Sequence, residues 1–236
     1  FCTLWLGFKL LKQEQAEKKS LNKITKEQFE NLIFGLFFSG LIGGRLGVFV
    51  FYNPETLFSD FWEIFKIWHG GMSIHGGFIG SALFGILWTR KHKVSFFALA
   101  DMLVIPLAFT LFLGRIANFL NGELVGVPTE SQTWGVIFPH VDELFRHPSQ
   151  LYEAGKNLFL FSVLLTLFQK KYWQQEGLLF SLFIIGYGIL RFIIEFFREP
   201  DGWVWIFSTG QALCLVMIFI AIILFFIRKK HWNSCQ

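Results

Sequence analysis

Arg191, Glu195 and Arg198 sit in, or at the edge of, an otherwise apolar run from Leu178 to Phe197 that is long enough to cross a bilayer. A charged side chain near the centre of a membrane helix costs about 2.5–3.5 kcal/mol on insertion scales, so chains keep such residues there mostly for function. Tyr187, Arg191, Glu195 and Arg198 step by four, four and three, which places them on one face of one helix. That face meets protein or water rather than lipid. Arg191 and Glu195 at i, i+4 form either an ion pair that only fixes packing or a pair that turns Arg191 toward a substrate.

Other residues carry chemistry of the same kind. His75 is the one histidine inside a span, and an imidazole with an ordinary pKa of about 6.5 exchanges a proton near neutrality. It also suits a hydrogen-bonding strut. Arg115, Asn118 and Asn121 recur every three residues, so on a helix they share a face. A guanidinium with two amides suits a glycerophosphate, and equally a polar helix end closed by Asn and Gly. Arg45, Arg115, Arg146, Arg191 and Arg198 lie within spans or at their outward ends, which suggests a site for an anionic head group, although snorkelling accounts for Arg146 and Arg198. Ser149 is expected to cap the helix that follows it, and Asp101 to pair locally. Cys2, Cys214 and Cys235 are scattered, and no His or Cys pair has metal-ligand spacing.

The elements that must hold these groups follow from composition. Of 236 residues 53% are hydrophobic, 32 are Phe and only 16% are charged, which excludes an ordinary soluble domain. The fold class is all-α: a polytopic helical membrane protein of about seven spans forming one domain over residues 1–236. The spans are Phe1–Leu11, Phe29–Phe51, Met72–Trp88, Phe96–Leu113, Ala154–Phe168, Leu178–Phe197 and Gln211–Ile227. The first is read as partial, the chain starting partway through it. Lysine and arginine concentrate in alternate loops: Lys12 to Lys26, Arg90 to Lys93, Lys170 and Lys171, and the tail Arg228 to Lys230. The positive-inside rule places these in the cytoplasm and the segments 53–67, 114–153 and 198–210 outside.

Two spans are dense in small residues, Ser39, Gly40, Gly43, Gly44 and Gly47 in one and Gly76, Gly77, Gly80, Ser81 and Gly85 in the next. This spacing suits close helix packing. The run from Gly70 to Gly77, with His75 between glycine pairs, permits an irregular start to its span beside protein or a cavity.

Five stretches together resemble the prolipoprotein diacylglyceryl transferase family: GGRLG at Gly43–Gly47, GGMSIHGGFIG at Gly70–Gly80, GRIANFLNGELVGVPT at Gly114–Thr129, HPSQLYE at His147–Glu153 and GYGILRFIIEFFREPD at Gly186–Asp201. They stand in family order and cover most of the chain after the first span. Ala117 occupies a position where the family usually has Gly. The resemblance implies a bacterial inner-membrane enzyme with its site facing outward. Its implied reaction moves the sn-1,2-diacylglyceryl group of phosphatidylglycerol to the lipobox cysteine thiol of a preprolipoprotein signal peptide. A thioether forms and glycerol 1-phosphate leaves. It implies no metal, no organic cofactor and no nucleic-acid partner; the partners are the two substrates and the lipid bilayer. Position by position, the resemblance carries over His75, Arg115 and Arg191 as catalytic. It carries over Arg115, Asn118, Asn121, Glu123, Gly126, Tyr187, Glu195 and Arg198 as binding phosphatidylglycerol. A transporter is the rival class, but no inverted repeat of the spans is evident and the arginines gather at one face.

Overall fold

The computed structural model describes residues 2–17, 21, 24–51, 55, 61–66, 71–199 and 202–234. Among the described residues, seven α-helices carry the fold: α1 (Cys2–Glu17), α2 (Lys26–Phe51), α3 (Ile74–His92), α4 (Phe96–Asn121), α5 (Ser149–Gln169), α6 (Leu178–Ile194) and α7 (Thr209–Ser234). Each apolar run expected from the sequence lies on one of them, with ends shifted by a few residues. Five are long and apolar enough to cross a membrane among the described residues, namely Lys26–Val50, Phe96–Asn121, Ser149–Gln169, Leu178–Phe197 and Thr209–Lys230. The protein is therefore a helical, multi-pass membrane protein. α1 falls outside that set because Lys9, Lys12, Glu14 and Glu17 interrupt its short length.

The chain forms two compact units, Phe8–Phe96 and the pair of segments Phe1–Gly7 and Phe97–Gln236. In the first, α2 and α3 run antiparallel with their backbones in contact. A Cβ on Gly43 would collide with the Gly76 carbonyl oxygen, and one on Gly76 with that of Gly43. Only glycine allows that approach, as the small-residue spacing predicts. Ser73 caps α3 by accepting from the Gly76 amide at 3.3 Å. Gly70 lies outside the described residues; Gly71 takes a positive φ (+76°) and residues 71–73 are non-helical, so an irregular entry leads into the capped helix. Arg45 is buried, and its guanidinium donates to the carbonyls of Glu63, Ile64, Lys66 and Gly71 at 2.6–3.2 Å. The expected role at an anion site does not hold for Arg45: it satisfies the backbone oxygens of Glu63, Ile64, Lys66 and Gly71, which buried carbonyls require, and pairs with the Glu63 carboxylate at 3.6 Å.

The second unit packs α4 to α7 around Leu99, Met102, Ile105, Leu164, Phe168 and Leu179, all essentially inaccessible. Asp101 does not pair locally. Its carboxylate accepts the amides of Gly177 and Phe180, both at 2.7 Å, and so caps α6 from the neighbouring helix α4. The Glu176 carbonyl takes Arg228 and Trp232 of α7 at 2.9 and 3.1 Å. At the other end of these helices lie the non-helical segments. β1 (Val136–Ile137) pairs with β2 (Phe145–Arg146), and β3 (Trp203–Val204) with β4 (Phe207–Ser208), both antiparallel.

Candidate functional site

α4 stops at Asn121 because Gly122 takes a left-handed conformation (φ +67°) and its amide and that of Glu123 close back on Phe119 and Asn118. The turn brings the Glu123 carboxylate over the last helical turn, where Asn118 donates to it at 3.0 Å and Asn121 at 3.5 Å. The reading of this motif as a polar helix end closed by Asn and Gly holds. It is a capped helix end, and it gathers two amides and a carboxylate on one exposed face.

The chain then crosses the unit as an extended strip. The Glu123 carbonyl accepts from Gln150 at 2.7 Å and the Leu124 carbonyl from Ser149 at 3.1 Å. Ser149 therefore does not cap α5; Pro148 holds the cap position without a side-chain bond, and the hydroxyl fastens the strip instead. Gly126 lies between two backbones. Its amide donates to the His147 carbonyl at 3.1 Å, it bridges to Arg198, and Val127 donates to the Phe197 carbonyl at 3.2 Å. Arg146 locks the strip by donating to the Gly126 carbonyl at 2.9 Å and pairing with Asp142 and Glu199. That is a structural role, so Arg146 too is committed elsewhere than to a head group. The Arg146 guanidinium holds the Asp142 carboxyl below the ordinary aspartate value.

The charged centre is built on α5 and α6. Glu153 is 1% exposed, and its Oε1 accepts from Arg191 Nη1 at 2.8 Å. Its Oε2 meets Lys156 Nζ at 2.7 Å and Arg115 Nε at 3.6 Å. Arg191 also pairs with Glu195 at 2.6 Å, and Glu195 accepts from the Ser208 hydroxyl at 3.0 Å. Lys156 Nζ stands 3.8 Å over the Tyr187 ring. Arg198 is buried, and among the described residues its Nε has no hydrogen-bond partner. Burial pushes its guanidinium below the ordinary arginine value, and the field of Arg191 adds to this.

Arg115, Lys156 and Arg191 contact Glu153 and Glu195, and Arg198, buried at the end of α6 and making no ion pair with either carboxylate, feels the field of all but Lys156, so the largely buried group carries an excess of two positive charges. Uncompensated charge in such surroundings is costly, so the site is set to take an anion. Asn157 lies beside it on α5, 1% exposed, with both amide atoms unpartnered among the described residues.

The sequence-derived residues of this unit fall into three groups. Arg115, Tyr187, Arg191 and Glu195 meet at or beside Glu153. Asn118, Asn121 and Glu123 form the helix-end group, and Gly126 and Arg198 join the strip to the end of α6. The His75 side chain lies outside the described residues; its backbone opens α3. Sequence reasoning missed Glu153, Lys156 and Asn157 as site residues. Their i, i+3, i+4 spacing was the available signal, the same one that marked α6.

The model of the prolipoprotein diacylglyceryl transferase family matches residues 1–227 of this chain. The chain belongs to that family. A phosphatidylglycerol–prolipoprotein diacylglyceryl transferase of Rhodopseudomonas palustris is 39% identical over 225 residues, covering 93% of this chain and 79% of that protein. Those of Rickettsia africae (44% over 204 residues; 84% and 78%) and Zymomonas mobilis (43% over 212; 87% and 73%) are similar in the same way. The family resemblance drawn from five motifs in the sequence thus extends over nearly the whole chain. Two of those motifs, HPSQLYE and GYGILRFIIEFFREPD, supply Glu153, Tyr187, Arg191 and Glu195 to the charged centre.

Proposed function

We propose that this chain transfers the sn-1,2-diacylglyceryl group of phosphatidylglycerol to the lipobox cysteine thiol of a preprolipoprotein, at the outward face of a bacterial inner membrane. The observation that carries the reading is the buried excess of two positive charges, with Arg115 and Arg191 on one carboxylate, Glu153. The reaction needs such a group. The thiolate sulfur attacks the glycerol carbon, a carbon–sulfur bond forms, and the carbon–oxygen bond to phosphate breaks. The electron pair leaves with glycerol 1-phosphate, whose phosphate monoester approaches two negative charges at neutral pH.

In this reading Arg115 and Arg191 bind the phosphate and stabilise the charge that grows on it. Glu195, itself held by Ser208, orients Arg191. Asn118, Asn121 and Glu123 receive the head-group glycerol, Tyr187 hydrogen-bonds the lipid, and Gly126 and Arg198 border the binding site. His75 takes the thiol proton, directly or through water. The alternation of basic loops supports the outward-facing site.

The test uses purified protein, a lipobox peptide and head-group-labelled phosphatidylglycerol. Lipidated peptide and labelled glycerol 1-phosphate should appear in equal amounts. Arg115→Ala should abolish both, and a wild-type rate for that variant would remove the phosphate role. His75→Gln should lower turnover more than lipid binding; intact turnover excludes it as the base.

A further inference from the structure

Glu153 faces three cations with two oxygens, and their shares are unequal. Arg191 holds Oε1 at 2.8 Å and Lys156 holds Oε2 at 2.7 Å, while Arg115 reaches Oε2 only through Nε at 3.6 Å. Among the described residues Arg115 makes no hydrogen bond and no other ion pair, although its side chain is only 17% exposed. A guanidinium with five donors and a nearby carboxylate normally closes into a short, two-pronged pair. Here it does not, because a primary ammonium already occupies the oxygen it would use.

Lys156 is tightly placed for this. It lies one helical turn from Glu153 on α5, its side chain is 2% exposed, and the Tyr187 ring closes over its ammonium at 3.8 Å. Its ammonium is thus held between the Glu153 carboxylate of its own helix and the aromatic face of α6, away from solvent.

We propose that Lys156 is a positioning residue: it occupies Glu153 Oε2 and thereby keeps the Arg115 guanidinium open for the phosphate of the lipid substrate. This rests on the phosphate role of Arg115 argued above. Without the ammonium, Glu153 captures Arg115 in a closed ion pair, and the phosphate must compete with a buried carboxylate for it. The ligand affected is a phosphate ester, so both lipid substrate and glycerol 1-phosphate should feel the change.

A double-mutant cycle tests it. Lys156→Met removes the charge at similar volume, and Glu153→Gln removes the competing carboxylate. In the wild-type background, Lys156→Met should raise the KM for phosphatidylglycerol and the Kd for glycerol 1-phosphate about tenfold while kcat falls less than about threefold. In the Glu153→Gln background the same substitution should change Kd less than about twofold, since no anion is left to trap Arg115. Lys156→Arg, which keeps a cation on Oε2, should recover most of the affinity when Glu153 is intact. Equal losses of affinity in both backgrounds would overturn the proposal, because Lys156 would then touch the lipid itself or merely hold the fold. So would an unchanged Kd in Lys156→Met. If Lys156→Met does not yield a monodisperse protein, Lys156→Gln takes its place in the cycle. The two readings fail separately: a wild-type chain that binds glycerol 1-phosphate but lipidates no peptide loses only the transfer reaction, whereas one that binds no glycerol 1-phosphate overturns both.

Discussion

Gly126→Ala adds one methyl group at a place where the chain has no room on either side. Its Cβ would stand 2.5 Å from the Phe197 carbonyl oxygen, 2.9 Å from the His147 Cβ and closer still to the His147 carbonyl oxygen, against ordinary contacts of 3.4–4 Å. The two carbonyls are backbone, so neither swings away by changing a side-chain rotamer. Each flank has to retreat by about 1 Å. The bonds between them, Gly126 to His147 at 3.1 Å and Val127 to Phe197 at 3.2 Å, stretch or break. Overpacking costs about 1–3 kcal/mol and each lost hydrogen bond about 1 kcal/mol, which gives a loss of about 2–5 kcal/mol. The same retreat moves Arg198, bridged to Gly126, off its position, and a 1 Å misplacement costs about 100-fold in rate. Thermal unfolding in detergent and the peptide-lipidation rate measure the two effects. Gly155→Ala is the internal control, because nothing lies within 4 Å of its added methyl. A Gly126→Ala protein with the control's melting midpoint and rate would refute the reasoning.

Three further outcomes follow from the same contacts. Arg191→Lys keeps the charge but not the planar fork that spans Glu153 and Glu195, so lipidation should fall about 10- to 100-fold with little change in expression. Asn157→Leu removes a buried amide with no partner among the described residues; it should raise stability by about 1–3 kcal/mol, read as a higher melting midpoint, and a lower one contradicts this. The Asp142 carboxyl is held low by Arg146 when folded, so its contribution is present above the unfolded aspartate pKa and is lost as pH falls through the folded one. Hydrogen exchange over residues 127–146 should therefore gain its unfolding-linked acceleration only in acid, and loss of protection on raising the pH from about 6 to about 8, beyond the intrinsic base-catalysed rise, contradicts the assignment.

The helical frame was legible because its signal is long-range and redundant. Each apolar run lies on a helix among the described residues, and the glycines of α2 and α3 meet as their spacing required. The face of α6 was legible for the same reason, since charges in an apolar run have few uses. What escaped notice depends on partners distant in sequence. Read from the sequence, Glu153 stands just ahead of a span that in the structure begins at Ser149, so its pairing with Lys156 one turn later is not apparent. Asp101 looked local but caps a helix 76 residues away, and Ser149 looked like a cap but fastens Leu124. Arg45 and Arg146 share the composition signal of Arg115 and Arg191. Only their partners, backbone carbonyls for Arg45 and the Asp142 and Glu199 carboxylates for Arg146, separate scaffold from site.

The thread of charge from Ser208 through Glu195, Arg191 and Glu153 to Lys156 ties the β4 hairpin to α6 and α5. Removing a carboxylate from it leaves buried cations without their counter-charge, at a cost of about 3–5 kcal/mol. Drift at these positions is therefore gated by pairs. On the proposed role of Lys156, a lineage that loses it keeps its phosphate affinity only where Glu153 has already changed, so divergence at these two positions should arrive as coordinated replacements rather than as single steps.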